Sequence, residues 1–265
     1  MRLSRFARAI PEHPIDSDTW PIWVPAGSRR RLDPLVRLAT AAVDRLQQQG
    51  ARLSPDTAVI VATSYGAVES TFRFATSLAT YGDTGGSPTP FTTSVHNSCA
   101  AALGEMLNLR GPTSTISHGA ASPLLALRFA ANLVSTGRAP MALVVAGERH
   151  NAWSKNVVSK LSGSPWPVSD GLIAGLLEAG PGGGRELIYG YRNADVTLDG
   201  GALIPSDAKL LADLPGKKIS APTALGGWWP GCGLAGIHWR DSQSVMISEV
   251  EDGRLEHVWL SGYRD

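Results

Sequence analysis

Three short, unbroken apolar runs constrain this chain more than any other feature: residues 57–63 (TAVIVAT), 141–146 (MALVVA) and 171–178 (GLIAGLLE). Each is far below the ~20 residues of a membrane span, and none alternates apolar with polar positions as a strand with one wet face would. They predict strands buried on both faces, which requires helices above and below one sheet.

The intervening segments supply those helices. Leu35, Leu38, Ala42, Val43 and Leu46 recur at helical spacing and end at Gly50. After 57–63, the triplet Ser64-Tyr65-Gly66 predicts a tight turn and 67–79 a helix; 81–90, rich in Gly and Pro, predicts a loop. Asn97 or Ser98 caps a helix carrying Ala101, Leu103, Met106 and Leu107 as far as Gly111. Residues 113–117 (TSTIS) predict a short strand, 118–121 a turn of small residues, and Ser122-Pro123 opens a helix that stops at Gly137. Strand, helix, strand in this order is a βαβ crossover, so the expectation is an α/β fold with a parallel-rich sheet layered between helices. Residues 181–184 read as a loop, and 245–250 with 255–260 as a hairpin turning at Asp252-Gly253. Residues 200–240 yield no prediction.

Composition excludes whole classes. With 43% hydrophobic and 18% charged residues over 265 positions, the chain is globular rather than disordered. A net charge of +1 provides no overall attraction to nucleic acid, although nine basic against five acidic residues in the first 52 place a positive excess at the front. Residues 2–10 are basic, with Arg5 and Arg8 interrupting any secretory apolar run, so no targeting segment is expected there. Two cysteines without a CxxC and six scattered histidines argue against disulfide scaffolds and metal sites and for a reducing cytoplasm. No Walker loop, HExxH or GxSxG is present, and no cofactor is expected.

The chemically informative place is the elbow between the strand at 113–117 and the helix from Ser122. The free N–H groups of a helix start stabilise a thiolate or oxyanion, and an acyl-transfer enzyme places its nucleophile at such a turn.

Here the sequence resembles the β-ketoacyl synthases of the thiolase fold, and within them the short ketosynthase-like chain-length factors. The resemblance runs from Arg30 to Glu178 and is strongest over 87–150. Gly111-Pro112, Ile116-Ser117, Ala121, Gly137, Val144, Gly147 and Glu148 match the ketosynthase frame without gaps, Asp170-Gly171 and Leu176-Leu177-Glu178 match a later strand, and SVHN at 94–97 is similar to the short subgroup's signature. In that frame Ala120 stands where ketosynthases carry the nucleophilic cysteine, and a methyl group cannot attack a thioester. The family's second half supplies its histidines; only 85 residues follow 180, and Gly227 stands where a histidine would in 225–237. The resemblance therefore implies a single ketosynthase-like domain, with 1–180 as the first thiolase-like half and 181–265 as a reduced second half.

It further implies a non-catalytic subunit that pairs with a catalytic β-ketoacyl synthase and shapes its acyl tunnel in polyketide, aryl polyene or fatty-acid-like biosynthesis. Tunnel or dimer-interface positions are then Thr92, Thr93, Ser94, Val95, His96 and Asn97, with Thr113, Ser114, Thr115, Ile116, Ser117 and His118. Arg29, Arg30, Arg31 and Arg37 become contacts for an acidic acyl carrier protein, or remain a solvated face. Two alternatives stay open: a stand-alone hydrolase or acyltransferase using Cys99, or His118 with Ser122, and a purely structural heterodimer partner. Trp228, Trp229, Trp239 and Trp259 read as interface or core.

Overall fold

The computed structural model describes residues 1–9, 20–119, 121–162, 168–180, 182–193, 196–199, 202–205, 217–218, 245–251 and 254–260. Ala120, Gly227, Cys232, Trp228, Trp229, Trp239 and nearly all of 200–240 lie outside them.

One sheet organises the described residues. Its strands are β1 (Arg2–Ala9), β2 (Ala58–Ala62), β3 (Thr113–Ile116), β4 (Met141–Glu148), β5 (Gly171–Glu178), β6 (Arg185–Asn193), β9 (Lys217–Lys218), β10 (Val245–Glu251) and β11 (Arg254–Leu260), in the order β3-β2-β4-β5-β1-β6-β11-β10-β9; β7 (Val196–Asp199) and β8 (Ala202–Pro205) pair separately. The helices are α1 (Pro34–Gln48), α2 (Val68–Tyr81), α3 (Pro88–Thr93), α4 (Ser98–Met106), α5 (Ser122–Ser135) and α6 (Ala152–Ser162).

Burial alternates along the strands as the pleat demands. Ala58, Ile60 and Ala62 of β2 with Ala142, Val144 and Ala146 of β4 face α5 through Leu124, Leu127, Ala130 and Leu133. Val59, Val61, Leu143 and Val145 face the opposite way, onto Leu35, Val36, Ala39, Val43 and Leu46 of α1 and Cys99, Ala100 and Leu103 of α4. Strands sealed on both sides explain why the sequence shows runs instead of alternation. Asp33 starts α1: its Oδ1 accepts from the Leu35 N–H at 2.8 Å, while Oδ2 accepts from the N–H and hydroxyl of Ser70 at 3.0 and 2.6 Å, tying α1 to α2.

The mixed α/β layering follows the expectation, with two of the three parallel pairings at one side of the sheet. β2 is parallel to both β3 and β4, and β9 to β10; β4–β5, β5–β1, β1–β6, β6–β11 and β11–β10 are antiparallel. Residues 2–9, read only as basic, form β1, and the hairpin β10–β11 adds to the same sheet through β6. Proline at N1 makes a short helix, α3, out of part of the expected loop. Among the described residues no helix is long and apolar enough to cross a membrane.

Candidate functional site

The connections from β2 lead first to β3 on one side and later to β4 on the other, so the carboxyl ends of these three parallel strands form a switch point, the place where open α/β sheets bind ligands. Three segments meet there: 63–66 after β2, 117–119 with 121–122 after β3, and 148–150 at the end of β4.

Hydrogen bonds lock them together. Ser64 Oγ donates to the Gly119 carbonyl at 2.6 Å, and Ser117 Oγ donates back to the Ser64 carbonyl at 3.3 Å. Ser122 Oγ donates to the same Gly119 carbonyl at 2.7 Å and accepts from the His118 N–H at 2.7 Å. The Thr63 N–H donates to the Ile116 carbonyl at 3.1 Å. Beneath this turn lies Glu148, fully buried at the end of β4: it accepts from the Thr63 hydroxyl at 2.9 Å and from the Ser64 N–H. Burial pushes its carboxyl up to about 8, against the opposing pull of those hydrogen bonds, so near neutral pH it is mostly protonated. Thr63 Oγ1 in turn accepts from the Gly66 N–H at 2.9 Å. A side chain at Gly66 would meet Nδ1 of His96 at 2.5 Å, so glycine there lets His96 lie on the turn.

His150 lies two residues on, buried, with its ring 5.5 Å from that of Tyr65 and neither ring nitrogen hydrogen-bonded. Burial drives it down to about 4, ahead of the opposing charge of Asp170, so its imidazole is neutral. Its main-chain N–H donates to Asp170 at 2.9 Å, and Asp170 also pairs with Arg149 and Lys155. Among the described residues no group of histidine, cysteine and carboxylate side chains is placed to hold a metal ion.

The beta-ketoacyl synthase N-terminal domain matches residues 6–173. The chain belongs to the β-ketoacyl synthase family. The ishigamide ketosynthase/chain length factor superimposes with a TM-score of 0.68 at 17% identity, over 98% of each chain. A ketosynthase in complex with its chain length factor from Xenorhabdus doucetiae gives 0.60 at 18% identity, over 97% of this chain and 99% of that one. A β-ketoacyl synthase from Burkholderia phymatum STM815 gives 0.69 at 13%, over 99% and 93%. These likenesses establish the ketosynthase-type, thiolase-like fold. No curated protein matches in sequence.

Within this ketosynthase-like fold the residues singled out from sequence divide sharply. Cys99 is buried among α1 and β-sheet side chains, and burial, with the charge of Asp33 adding to it, pushes its thiol up to about 12; it lacks the thiolate character a nucleophile needs. The helix start does not acidify it. The Asn97 side chain makes no capping bond, and the Ser98 hydroxyl is buried without a partner, correcting the expected cap. Ser122 is fully buried and spends its hydroxyl inside the elbow, and His118 is exposed and meets Ser122 through its main-chain N–H, not its ring. Neither arrangement is a nucleophile with its base.

Thr92, Val95, His96 and Asn97 are exposed, and Thr93 and Ser94 half-buried, beside α2. Thr93 Oγ1 donates to Ser70 Oγ at 2.9 Å and so joins the Asp33 network. Val95 and Phe91, 47% and 56% exposed, carry apolar surface outward, as does Trp153, which meets the Phe72 ring. Thr113, Ser114, Thr115 and Ile116 form β3, which among the described residues has a neighbour on one side only; Ser117 and His118 follow it. Of the four arginines, Arg29 closes its own loop by donating to the Val24 carbonyl, and Arg37 lies over the Trp20 ring, leaving Arg30 and Arg31 exposed. Sequence reasoning assigned no role to Thr63, Ser64 or His150. The Gly147-Glu148 pair was visible only as part of the matching frame.

Proposed function

We propose that this chain is a chain-length-factor-like subunit that pairs with a catalytic β-ketoacyl synthase and shapes its acyl tunnel in polyketide, aryl polyene or fatty-acid-like biosynthesis. The observation that carries the reading is the edge position of β3 beside an elbow whose sequence holds Ala120 at the nucleophile position. An intact elbow without a nucleophile suits a subunit that retains the ketosynthase scaffold and leaves bond formation to its partner. Two of the similar solved structures are a ketosynthase/chain length factor and a ketosynthase in complex with its chain length factor.

In this reading the chain is one domain, a first half to residue 180 and a reduced second half, working without a cofactor in the cytoplasm. β3 extends its ladder into the partner's sheet. Val95 and its neighbours at 92–97 line the shared tunnel, and Arg30 and Arg31 meet the acidic carrier protein, with Arg29 and Arg37 holding the loop that presents them. The thiolate and serine alternatives lose their support at Cys99 and Ser122, as described above.

The test is reconstitution. The isolated chain should release no ketoacyl product from acyl and malonyl thioesters, and the co-purified complex should. Val95→Trp should shorten the products of the complex while leaving initiation intact, because added volume in a close-packed tunnel displaces substrate. Robust condensation by the isolated chain overturns the reading. Unchanged product length in an assembled Val95→Trp complex reduces the role to structural support.

A further inference from the structure

At the opposite end of β5 from the elbow, a cavity of about 350 Å³ opens between β1, β5 and the turn after α1. Glu148 pairs with Gly171 at one end of β5 and Met141 with Glu178 at the other, so roughly 23 Å separates the two places at ~3.3 Å per residue. The cavity is lined by Arg2, Arg5, Arg52 and Glu178, with Leu176 and Gly183 among its walls.

A fold feature brings the arginines together. In a regular strand, positions 2 and 5 point to opposite faces. Here the register of β1 on β5 shifts between Leu3 and Arg5, so Arg2 opposes Glu178 and Arg5 opposes Leu176, two positions of the same face. Arg52 reaches the same space from beyond α1. Arg2 is held in place by Glu178 at 3.6 Å and by the Gly183 carbonyl. A side chain at Gly182 would meet its Nη1 at 2.8 Å, so the glycine loop makes room for this guanidinium. Among the described residues the compensation stops there: Arg2 Nε is buried without a partner, Arg5 Nη1 donates to the adjacent Ser4 carbonyl at 2.9 Å, and Arg52 has no hydrogen-bond or ion-pair partner.

Among the described side chains three permanent positive charges stand against one carboxylate, and their convergence in a concavity of small-molecule size forms an anion site lacking its anion's charge. Guanidinium groups arriving from two sides suit a tetrahedral, multiply charged group better than a planar carboxylate, which one guanidinium fork saturates. We propose that this cavity binds a small phosphorylated ligand carrying at least two negative charges, independently of the elbow and of the Arg30–Arg31 surface.

Isothermal titration of the full chain with inorganic pyrophosphate, in a chloride buffer of matched ionic strength, tests it. Saturable binding is expected, weakened by about tenfold or more in Arg52→Ala and again in Arg5→Ala, since each removes charge-assisted hydrogen bonds. Glu178→Gln should tighten binding severalfold by removing the opposing charge, and Arg138→Ala, an exposed arginine beyond α5, should leave it unchanged. Absence of saturation at ~10 mM pyrophosphate, or affinity indifferent to Arg5, Arg52 and Glu178 in variants that retain the wild-type circular dichroism, overturns the proposal.

Discussion

The elbow and the edge strand beside it are built on opposite principles. Around Gly119 hydrogen-bonding capacity is spent within the chain: Ser64, Ser122 and Thr63 bind backbone groups, and a buried Glu148 secures the turn from below. Along β3, a few ångströms away in the sheet, one row of main-chain groups has no neighbour among the described residues, and the Thr115 hydroxyl is buried without a partner. The closed region is a turn fastened by its own side chains. The open one leaves main-chain groups available among the described residues, and it is there, rather than at the turn, that the proposed function seats the partner.

The largest effect should come from proline on β3, and its position decides which of the two regions breaks. The Val59 N–H donates to the Pro112 carbonyl and the Thr63 N–H to the Ile116 carbonyl. By the two-residue alternation of the ladder, Ser114 also faces β2 while Thr115 turns its main chain outward. Ser114→Pro should therefore destabilise the sheet itself through the lost ladder hydrogen bond, by about 1–3 kcal/mol, visible as a lowered melting temperature. Thr115→Pro should leave the fold intact and abolish association with the ketosynthase. Equal effects of the two substitutions on melting would remove the distinction between inner and outer rows.

Next in size are changes to Glu148. Glu148→Ala strands the Thr63 hydroxyl and the Ser64 N–H in the interior, each costing about 1–3 kcal/mol, and should lower the denaturation midpoint clearly. The acid also makes stability depend on pH. Its folded value, about 8, exceeds its ordinary 4.5, so its contribution is complete below 4.5 and is lost as pH rises to 8. His150 acts in the other sense: lowered to about 4 from 6.5, it contributes fully above 6.5 and loses that contribution as pH falls to 4. Of these two groups only Glu148 acts between 6.5 and 8, where stability should fall by up to about 1.4 kcal/mol per pH unit. Glu148→Gln keeps an acceptor for one of the two donors and cannot ionise, and it should flatten that slope in pH-dependent urea titrations. A slope unchanged by Glu148→Gln would assign it to another group.

The smallest effect should be at Cys99. A thiol buried in the core and held near 12 should resist acyl-like electrophiles until the protein unfolds, as timed labelling and mass analysis would record. Rapid stoichiometric modification of the native chain would return Cys99 to consideration as a reactive group.

The sequence made the inner sheet legible because strands buried on both faces leave unbroken apolar runs; β2, β4 and β5 correspond to the three runs, and the hairpin β10–β11 follows from its Asp-Gly turn. β1 escaped because its three arginines look like a solvated tail, and because the register shift after Leu3 destroys the alternation that would have announced a strand. The direction of β5 was not readable either: a connection of 22 residues holding α6 permits a parallel return, yet β5 runs antiparallel to β4. The elbow's position was evident from the strand, small-residue turn and Ser-Pro helix start. Its fastenings were not, since Thr63, Ser64 and Glu148 come together only when β2 and β4 lie side by side, and nothing local to a Thr-Ser pair records that partner.

The central claim, that β3 is completed by a catalytic ketosynthase, is tested most directly by the native mass of the chain co-expressed with the ketosynthase of its own pathway. The account predicts one species with the summed mass of one copy of each chain, and separate species when this chain carries Thr115→Pro. A monomer of 27.9 kDa that elutes alone in the presence of that ketosynthase, with or without the proline, would contradict it.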